Sequence, residues 1–385
     1  MKTAKKWATF AICSAVIAAM LMGCGADKTV DTSDPDLDAV TENATTNTPA
    51  ASAPDGVKVI SDDANTIQYA YGDYEFSVDK NVDIQDREIV AVFENVSIPF
   101  AQLLDSGITN AKNEYGINAY QLGGTAWDAT ESMDIIDSMI NKGVDGLIIA
   151  AIDEDAFTKA AHKAMEAGIP VVGYNSPMTD TSARLCTVGV DVYSVAKSIT
   201  DPLVKKVNDT YGGGKILLFG DLASNEPIKR AQALKDSVAE YPEGTLEILE
   251  LHTTGDDAAV YADIENMMLA NPDIVGAYSV NGLQYLFGKY LKSNDIGNNF
   301  GDEPIFCAGH ELFEESLYNV RDGWETYLSS QDPTNQGYMP AKIFAEFYSN
   351  YDVSIFEDVT LEPIVVDKDS VEDYIKRVEA GEMVL

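Results

Sequence analysis

The sequence predicts an α/β fold of two similar, doubly wound lobes with parallel sheets, joined by a hinge that the chain crosses several times. Two observations predict it. From Arg87 onward, short and almost continuously apolar segments alternate with amphipathic helical segments, which is typical of parallel strands that helices cover on both faces. The alternation forms two consecutive series, the second beginning after RLCTVGV at residues 184–190, and two series indicate two lobes with a cleft between them.

Residues 1–23 have the pattern of a lipoprotein signal peptide. Three lysines among the first six residues precede Trp7–Met22, a run of 16 residues without a charge. The run is shorter than the roughly 20 apolar residues of a bilayer span and is typical of a signal-peptide core. Leu21–Cys24 resembles the lipobox of bacterial lipoproteins, in which the chain is cut before the cysteine and the cysteine is lipidated.

The lipobox resemblance implies lipidation of Cys24, by acyl groups such as palmitate, and an extracytoplasmic protein that is lipid-anchored to the membrane. Because one acyl chain binds a membrane only weakly, a stable anchor needs more than one chain, which this class of anchor supplies. The alternative is a plain secretory signal with a chance cysteine at position 24.

The segment 24–56 is predicted to be a disordered tether between this anchor and the folded part. It is rich in Thr, Asp, Ala, Ser and Pro and has almost no large apolar side chains to bury. Residues 57–87 form an N-terminal extension to which the sequence assigns no role. The chain carries a net charge of −37, and removal of the signal-peptide lysines would make it −40, which argues against nucleic-acid binding.

Four cysteines bear on the compartment and on disulfides. Cleavage before Cys24 would remove Cys13 and leave Cys186 and Cys307 as the only side-chain thiols in an exported, potentially oxidising environment. Both lie in apolar, strand-like runs that belong to different predicted lobes. The sequence therefore predicts two buried thiols without a disulfide between them.

The first lobe is predicted from residues 88–191 together with 332–350. Its strand-like segments are EIVAVF, INAYQL, VDGLIIA and IPVVGYN, and the helices between them are predicted near 100–115, 129–142 and 154–167. The second lobe is predicted from residues 192–331 together with 351–385. Its strand-like segments are KILLFG, LEILEL, DIVGAYSV and PIFCAG, with helices near 195–211, 228–241, 258–270 and 283–293. The remaining segments, a helix near 313–320, WETYLSS, a helix near 337–350 and LEPIVV, complete the two sheets.

Polar and aromatic side chains follow the predicted strands at the place where such folds bind ligands. In open parallel sheets that place is beyond the carboxyl ends of the strands, where loops and helix N-termini converge. The residues found there are Asn95, Ser97, Phe100, Tyr174, Asn175, Ser176, Asn225, Arg230, Asn281, His310, Glu311 and Gln331. Amides, a guanidinium and a carboxylate suit neighbouring hydroxyls, and aromatic rings suit the C–H face of a sugar, so the set is typical of a polyol site.

Each of these residues also has an ordinary structural explanation. Asn225 and Asn281 precede helices and could act as N-caps, and any of the others could solvate a strand end. Recurrence at the same place in both lobes favours binding. Trp127 and Trp324 are weaker candidates, for which packing in the core or on the surface is the favoured interpretation.

Motifs of the main enzyme classes are absent from the sequence. No G-x-S-x-G or G-x-G-x-x-G occurs at the expected place, and GGGKI lacks the spacing of a phosphate loop. HELFE has Glu314 where a zinc-binding helix needs a second histidine. We therefore expect no catalytic residue, no metal and no cofactor.

One weak signal resembles a calcium loop. Asp79, Asn81, Asp83 and Gln85 alternate as such ligands do. The sixth and twelfth positions, which need Gly and Glu, hold Ile84 and Val90, so a solvated surface turn is the favoured interpretation.

Longer segments of the chain resemble the ribose-binding type of substrate-binding protein, the periplasmic-binding-protein type I fold that serves sugar ABC transporters. The likeness spans about residues 88–366. Its most specific parts are DIIDSMINKGVDGLIIAAIDEDA and AMEAGIPVVGYNS, supported by NVSIPFAQLLDSGITNAKNEYGINAYQL, ANPDIVGAYSVNG and YLSSQDPTNQGY. The resemblance implies two lobes that close on a sugar and present it to a permease.

The resemblance also implies which residues contact the ligand, and here the chain departs from the family pattern. Arg230, Asn281 and Gln331 match. Of an aromatic pair after the first strand only Phe100 remains, and an Asp-Arg pair after the fourth strand is replaced by Asn175-Ser176. Ala150 replaces a polar residue after the third strand, and His310-Glu311 replaces a Phe-Asp pair. Because unmatched buried polar groups are costly, these changes alter which ligand fits.

Together these observations predict an extracytoplasmic solute-binding lipoprotein of an ABC importer, a monomer that captures a small sugar or polyol-like ligand by hinge closure. The expected ligand contacts are Phe100, Tyr174, Asn175, Ser176, Arg230, Asn281, His310, Glu311 and Gln331. The alternative is a sensing module that presents a bound signal molecule, for example a furanosyl autoinducer, to a receptor kinase. The effector domain of a transcriptional repressor is a poorer fit, because export is predicted and no N-terminal DNA-reading helix pair is seen.

Overall fold

The computed structural model describes residues 56–176, 178–223 and 225–384, which belong to one compact unit. The predicted signal peptide, Cys24 and nearly all of the tether lie outside the described residues. No helix in the described part of the chain is long and apolar enough to cross a membrane.

The extension at residues 57–87, for which the sequence predicts no elements, is a small antiparallel sheet. Its strands are β1 (Lys58–Asp62), β2 (Thr66–Tyr71) and β3 (Tyr74–Asp79), in the order β1-β2-β3. Alternate residues of β2 and β3 are buried. Tyr69 stacks on Phe76 at 4.8 Å and meets Phe347 edge-on at 5.2 Å between ring centroids, so the extension packs on the core of the first lobe.

The first lobe has the predicted alternation of strands and helices. Its elements are β4 (Glu88–Asn95), α1 (Pro99–Tyr115), β5 (Asn118–Gly124), α2 (Ala129–Lys142), β6 (Gly146–Ile149), α3 (Glu154–Glu166), β7 (Val171–Tyr174) and β8 (Cys186–Gly189). The five strands pair in parallel in the order β8-β7-β6-β4-β5. Helix boundaries follow local chemistry, since the Asp128 side chain caps α2 and Gly143 ends it with a φ of 75°.

The second lobe repeats this arrangement. Its elements are α4 (Val192–Tyr211), β9 (Gly214–Gly220), α5 (Asn225–Ala239), β10 (Leu246–His252), α6 (Asp257–Ala270), β11 (Ile274–Ser279), α7 (Gln284–Asn294), β12 (Phe306–His310), α8 (Glu314–Asp322) and β13 (Tyr327–Ser330). The strands pair in parallel in the order β10-β9-β11-β12-β13. The fold class predicted from the sequence is confirmed.

After β13 the chain returns to the first lobe through α9 (Pro333–Asn350), which packs closely on α1. Glycines permit this approach. A Cβ added at Gly107 would lie 1.9 Å from the Thr334 carbonyl oxygen, and one at Gly337 would lie 1.9 Å from the carbonyl oxygen of Leu104. Side chains larger than hydrogen at either position would force the two helices apart.

The last segment differs from the prediction that placed all of 351–385 in the second lobe. Strand β14 (Val359–Thr360) pairs in parallel with β8, and Phe356 is buried in the first-lobe core. Only β15 (Ile364–Val366), which pairs antiparallel with β13, and α10 (Val371–Glu379), which packs on α8, join the second lobe. Asp358 explains the difference, because its carboxylate pairs with Arg184 and accepts a hydrogen bond from the amide N–H of Thr187, both in the first lobe.

The two cysteines in the described part of the chain are free and buried, as the sequence predicted. Cys186 lies in β8 and Cys307 in β12, so they belong to different lobes. Burial raises the pKa of the Cys186 thiol to about 12 and that of Cys307 well above its ordinary value, so both are unreactive thiols.

Candidate functional site

A cleft of about 1030 Å³ lies between the two lobes, at the carboxyl ends of their parallel strands. Both lobes contribute to its walls. The lining residues are Phe93, Ile98, Pro99, Phe100, Trp127, Ile152, Asn175 and Ser176 from the first lobe, and Asp221, Asn225, Glu226, Pro227, Asn281, Glu311, Phe313 and Gln331 from the second lobe, the last of them directly after β13. The cleft has the position and size of a small-molecule site.

Most of the residues predicted from the sequence line this cleft. They are Phe100, Asn175, Ser176, Asn281, Glu311 and Gln331. Asn225 also lines it as the first residue of α5. Asn281 does not cap a helix, because its Oδ1 accepts a hydrogen bond from the amide N–H of Asp221 at 2.8 Å and so joins the loops after β11 and β9.

Tyr174 and His310 do not line the cleft. Each is the last residue of its strand, and its side chain points into the lobe's interior. The Tyr174 ring is fully buried, with its hydroxyl 3.4 Å from Gln121 Oε1. His310 Nε2 bonds to the Tyr278 hydroxyl at 2.7 Å and Nδ1 to Ser329 Oγ at 2.8 Å, which leaves no ring nitrogen for a ligand.

His310 is held neutral by its surroundings. Burial lowers the pKa of its imidazole well below the ordinary value, and the nearby Arg230 guanidinium lowers that pKa further. The residue thus completes a buried polar network beneath the cleft, and the prediction that it contacts a ligand is corrected.

Arg230 lies behind the cleft wall. Its side chain, on α5, is 6% exposed, and one terminal nitrogen donates to the Val280 carbonyl oxygen at 3.0 Å. Its buried Nε has no hydrogen-bond partner. The guanidinium is close enough to Glu311 to act on the pKa of that carboxyl, so it supplies positive charge to the floor of the site.

Aromatic rings form much of the first-lobe wall. Phe93, which the sequence analysis did not single out, lies 6.2 Å between ring centroids from both Phe100 and Trp127. The Trp127 side chain lines the cleft although 58% of it is exposed, which corrects its interpretation as a packing residue. Trp324 packs against the second-lobe core, as favoured from the sequence. The sequence does not mark Phe93 as a site residue, because it is one of several apolar residues in a buried strand.

Two lining residues, Asn175 and Glu311, have left-handed backbones at equivalent places in the two lobes. Asn175 follows β7 with a φ of 59°, and Glu311 follows β12 with a φ of 72°. Non-glycine residues adopt this conformation rarely and at a cost, and such residues concentrate at functional sites. The turn redirects the chain, so that the strand's last side chain enters the core and the next faces the cleft.

A chain of hydrogen bonds joins the two strained residues across the hinge. Asn175 Nδ2 donates to Gln336 Oε1 at 3.1 Å, and Gln336 Nε2 donates to the Gln331 carbonyl oxygen at 2.7 Å. The Gln331 side chain in turn donates to Glu311 Oε1 at 3.3 Å. Gln336, on α9, is fully buried and was not predicted from the sequence. We call this path from Asn175 to Glu311 the hinge relay.

Glu311 ends the hinge relay with an unused acceptor. Its Oε2 is buried and has no hydrogen-bond partner, so a ligand donor could satisfy it. The pKa of the Glu311 carboxyl is raised above its ordinary value, because desolvation outweighs the lowering by Arg230 and by the Gln331 hydrogen bond. The charge of Glu226 adds to the rise.

Other candidates make local contacts. Asn95 Oδ1 accepts from the amide N–H and the hydroxyl of Ser97, which forms a turn at the end of β4. Asp79 Oδ1 likewise accepts from the amide N–H and side chain of Asn81 in the segment that resembles a calcium loop. Within the described residues, no group of three or more His, Cys, Asp or Glu side chains is arranged to hold a metal ion.

Comparison with known proteins agrees with this geometry. Residues 89–349 match the model of the periplasmic binding protein domain family. The xylose/arabinose-binding protein XylF of Sulfolobus acidocaldarius is 24% identical over 263 residues, which cover 66% of this chain and 64% of that protein. The chain thus spans less than two thirds of the length of the curated relatives it matches.

Solved structures share the fold at low identity. The periplasmic ribose ABC transporter of Conexibacter woesei has a TM-score of 0.65 and 17% identity, covering 78% of this chain and 97% of that one. A chain of a XylFII–LytSN complex has a TM-score of 0.55 and 19% identity, covering 74% and 99%. With two parallel α/β lobes, a cleft at their strand ends and a family match over most of its length, the chain belongs to the periplasmic binding protein domain family.

Proposed function

We propose that this protein is the solute receptor of an ABC importer and that it binds a small sugar or polyol-like molecule in the cleft. The observation that carries the proposal is the lining itself. The amides of Asn281 and Gln331 lie on the second-lobe wall, and the first-lobe wall has the amide of Asn175 beside aromatic rings, around a space of the right size. Amides pair with neighbouring hydroxyls and rings cover a C–H face, as a sugar requires. Relatives named for xylose, arabinose and ribose support it.

Closure of the two lobes would couple binding to transport. A ligand shifts the balance between open and closed forms only by its different affinity for the two, and contacts from both walls supply that difference. The three hinge segments, near residues 190, 331 and 362, would absorb the movement. The closed form is then the surface that a membrane permease recognises. No bond is made or broken in this proposal, and the protein is a monomeric receptor, not an enzyme.

Thermal shift of the purified protein against pentoses, hexoses, polyols, furanosyl compounds and nucleosides tests the proposal. A ligand at about 100 times its dissociation constant should stabilise the protein by roughly 2.7 kcal/mol. If nucleosides raise the melting temperature and no sugar or polyol does, the carbohydrate proposal fails.

We also propose that the protein is tethered outside the cytoplasm through lipid on Cys24. The lipobox resemblance and the acidic, Thr-rich residues after it support this. Mass spectrometry of protein from membranes should find a diacylated residue 24 at the N-terminus, and Cys24→Ser should release the protein from the membrane fraction. An unmodified N-terminus elsewhere would contradict the anchor.

A second candidate is a sensing module that hands its bound ligand to a receptor protein. The observation that favours it is the shared fold with a chain solved as a XylFII–LytSN complex. Uptake of labelled ligand by cells with and without the protein separates the two functions. Unchanged uptake combined with a lost transcriptional response would favour sensing.

A further inference from the structure

The two walls of the cleft differ in charge. The first-lobe wall is formed by apolar and aromatic side chains with Asn175 and Ser176, and none of them is charged. The second-lobe wall carries three carboxylates, those of Asp221, Glu226 and Glu311. Among the described residues that line the cleft there is no lysine, arginine or histidine.

Neighbouring groups compensate only part of this negative charge. Arg230 lies behind the wall at 6% exposure and acts on Glu311. In β4 of the first lobe, Glu94 is buried, and desolvation, followed by the charges of Asp153 and Asp128, raises its pKa. His252 Nδ1 lies 3.9 Å from Asp221 Oδ1. The carboxylates of Glu226 and Glu311, with one guanidinium behind them, leave their part of the wall negative.

Aromatic rings face this negative wall. Phe93, Phe100 and Trp127 form one cluster, and Trp127 exposes most of its ring. The face of an aromatic ring attracts a cation, and the attraction grows when closure removes water. A cation between the walls would therefore meet rings on one side and carboxylates on the other.

The hydrogen bonding of Glu311 also points to a ligand donor. Glu311 Oε2 is buried without a partner, although the other oxygen of the same carboxylate accepts from Gln331. A buried acceptor of this kind is costly unless something donates to it. An ammonium offers several N–H donors and the compensating charge together.

We infer that the ligand of this cleft carries an ammonium group beside its hydroxyls, as an amino sugar does. The inference rests on the proposed function and narrows it. The amides of Asn175, Asn281 and Gln331 bind the hydroxyls, and the ammonium lies between the aromatic cluster and the carboxylates of Glu311 and Glu226. Neutral sugars of the same shape leave that negative wall uncompensated.

Matched sugars test the inference by calorimetry on the purified protein. The pairs are D-glucosamine with D-glucose and D-galactosamine with D-galactose, and N-acetyl-D-glucosamine removes the charge while keeping the nitrogen. We expect at least one amino sugar to bind tenfold or more tighter than its neutral partner and N-acetylation to remove that gain. Raising the salt from about 20 mM to about 300 mM should reduce the gain, because screening weakens charge attraction.

A matched pair of variants locates the effect. Glu226→Gln should weaken amino-sugar binding several-fold more than it weakens binding of the neutral partner. Glu265→Gln, an equal change of charge at an exposed position on α6 outside the cleft lining, should alter neither.

The outcomes separate this inference from the proposed function. Neutral sugars that bind as tightly as their amino partners overturn the inference and leave sugar capture standing. If no sugar binds but choline or ethanolamine does, the ammonium site stands and sugar capture fails. Binding of none of these amines counts against the inference.

Discussion

At the scale of single residues, the site depends on whether each side chain at a strand end points into the core or into the cleft. Tyr174 and Asn175 are neighbours in the chain, yet the first is in the core and the second faces the cleft. His310 and Glu311 repeat this pair in the other lobe. The hinge relay through Gln336 then holds the outward-facing partners, and we assign Gln336 the role of a positioning residue, because it touches Asn175 and the Gln331 backbone but does not line the cleft.

Gln336→Leu should weaken binding of the best-bound sugar about tenfold and reduce the free energy of unfolding by about 1–3 kcal/mol, because it breaks two buried hydrogen bonds. Calorimetry and urea denaturation measure the two effects. Thr200→Val is the control, since it removes a buried hydrogen bond to Ser237 far from the cleft and should cost stability only. Equal sugar affinity in Gln336→Leu and the unaltered protein would contradict the positioning role.

Glu325 should make the unliganded protein less stable as the pH rises. It is 1% exposed, and burial raises its pKa from the ordinary 4.5 to about 8. Between those values the unfolded chain is ionised while the folded one stays protonated, so stability present below about pH 4.5 falls by up to about 1.4 kcal/mol per pH unit until about pH 8.

Urea denaturation from pH 5 to pH 8 checks the Glu325 prediction. The Glu325→Gln variant cannot ionise at this position, and its stability should fall less steeply across the same range. Parallel curves for the two proteins would show that Glu325 does not titrate as its burial requires.

At the scale of elements, the sequence determined regular helices well and long-range pairings poorly. The bounds of α2 were predicted because they depend on local signals, an N-cap at Asp128 where the helix begins and Gly143 where it ends, which need no knowledge of the rest of the fold. The pairing of β14 with β8 was missed, because it depends on Asp358 meeting Arg184, 174 residues earlier in the chain. The three strands of the extension were missed because no helix separates them, so they do not continue the α/β pattern. Only β2 and β3 have alternating buried residues, and β1 is exposed throughout.

The core residue Phe93 and the exposed Trp127 show the same limit within the site. Their side chains form one cluster only after β4 and the loop before α2 come together. The strand-end rule therefore located the cleft from the sequence. It could not tell which of two neighbouring residues enters the cleft, because that depends on the left-handed backbones of Asn175 and Glu311.

The extension should stabilise the first lobe. Tyr69→Ala removes a fully buried ring that stacks on Phe76 and meets Phe347 edge-on, and we expect a loss of about 3–5 kcal/mol in the free energy of unfolding with little change in sugar affinity. Tyr69→Phe should be close to neutral, because the buried hydroxyl has no hydrogen-bond partner. If Tyr69→Ala and the unaltered protein had the same unfolding midpoint, the extension would not contribute to the stability of the first lobe.

At the scale of the whole molecule, two independent cores meet at a cleft that three short chain crossings bridge. One core includes the extension, α9 and the residues before β14, and the other is divided over the second lobe's two faces and its C-terminal end. Such a molecule can change the angle between its lobes without repacking either core, which is what a receptor that encloses its ligand needs. The high negative charge of the chain adds long-range attraction for a cationic ligand.

The central claim is that a sugar-like ligand closes the two lobes on itself, and small-angle X-ray scattering with and without the best-bound sugar tests it most directly. We predict a smaller radius of gyration and a changed scattering curve at saturation, with half of the change at the dissociation constant found by calorimetry. Saturating sugar that leaves the curve unchanged would contradict capture by closure.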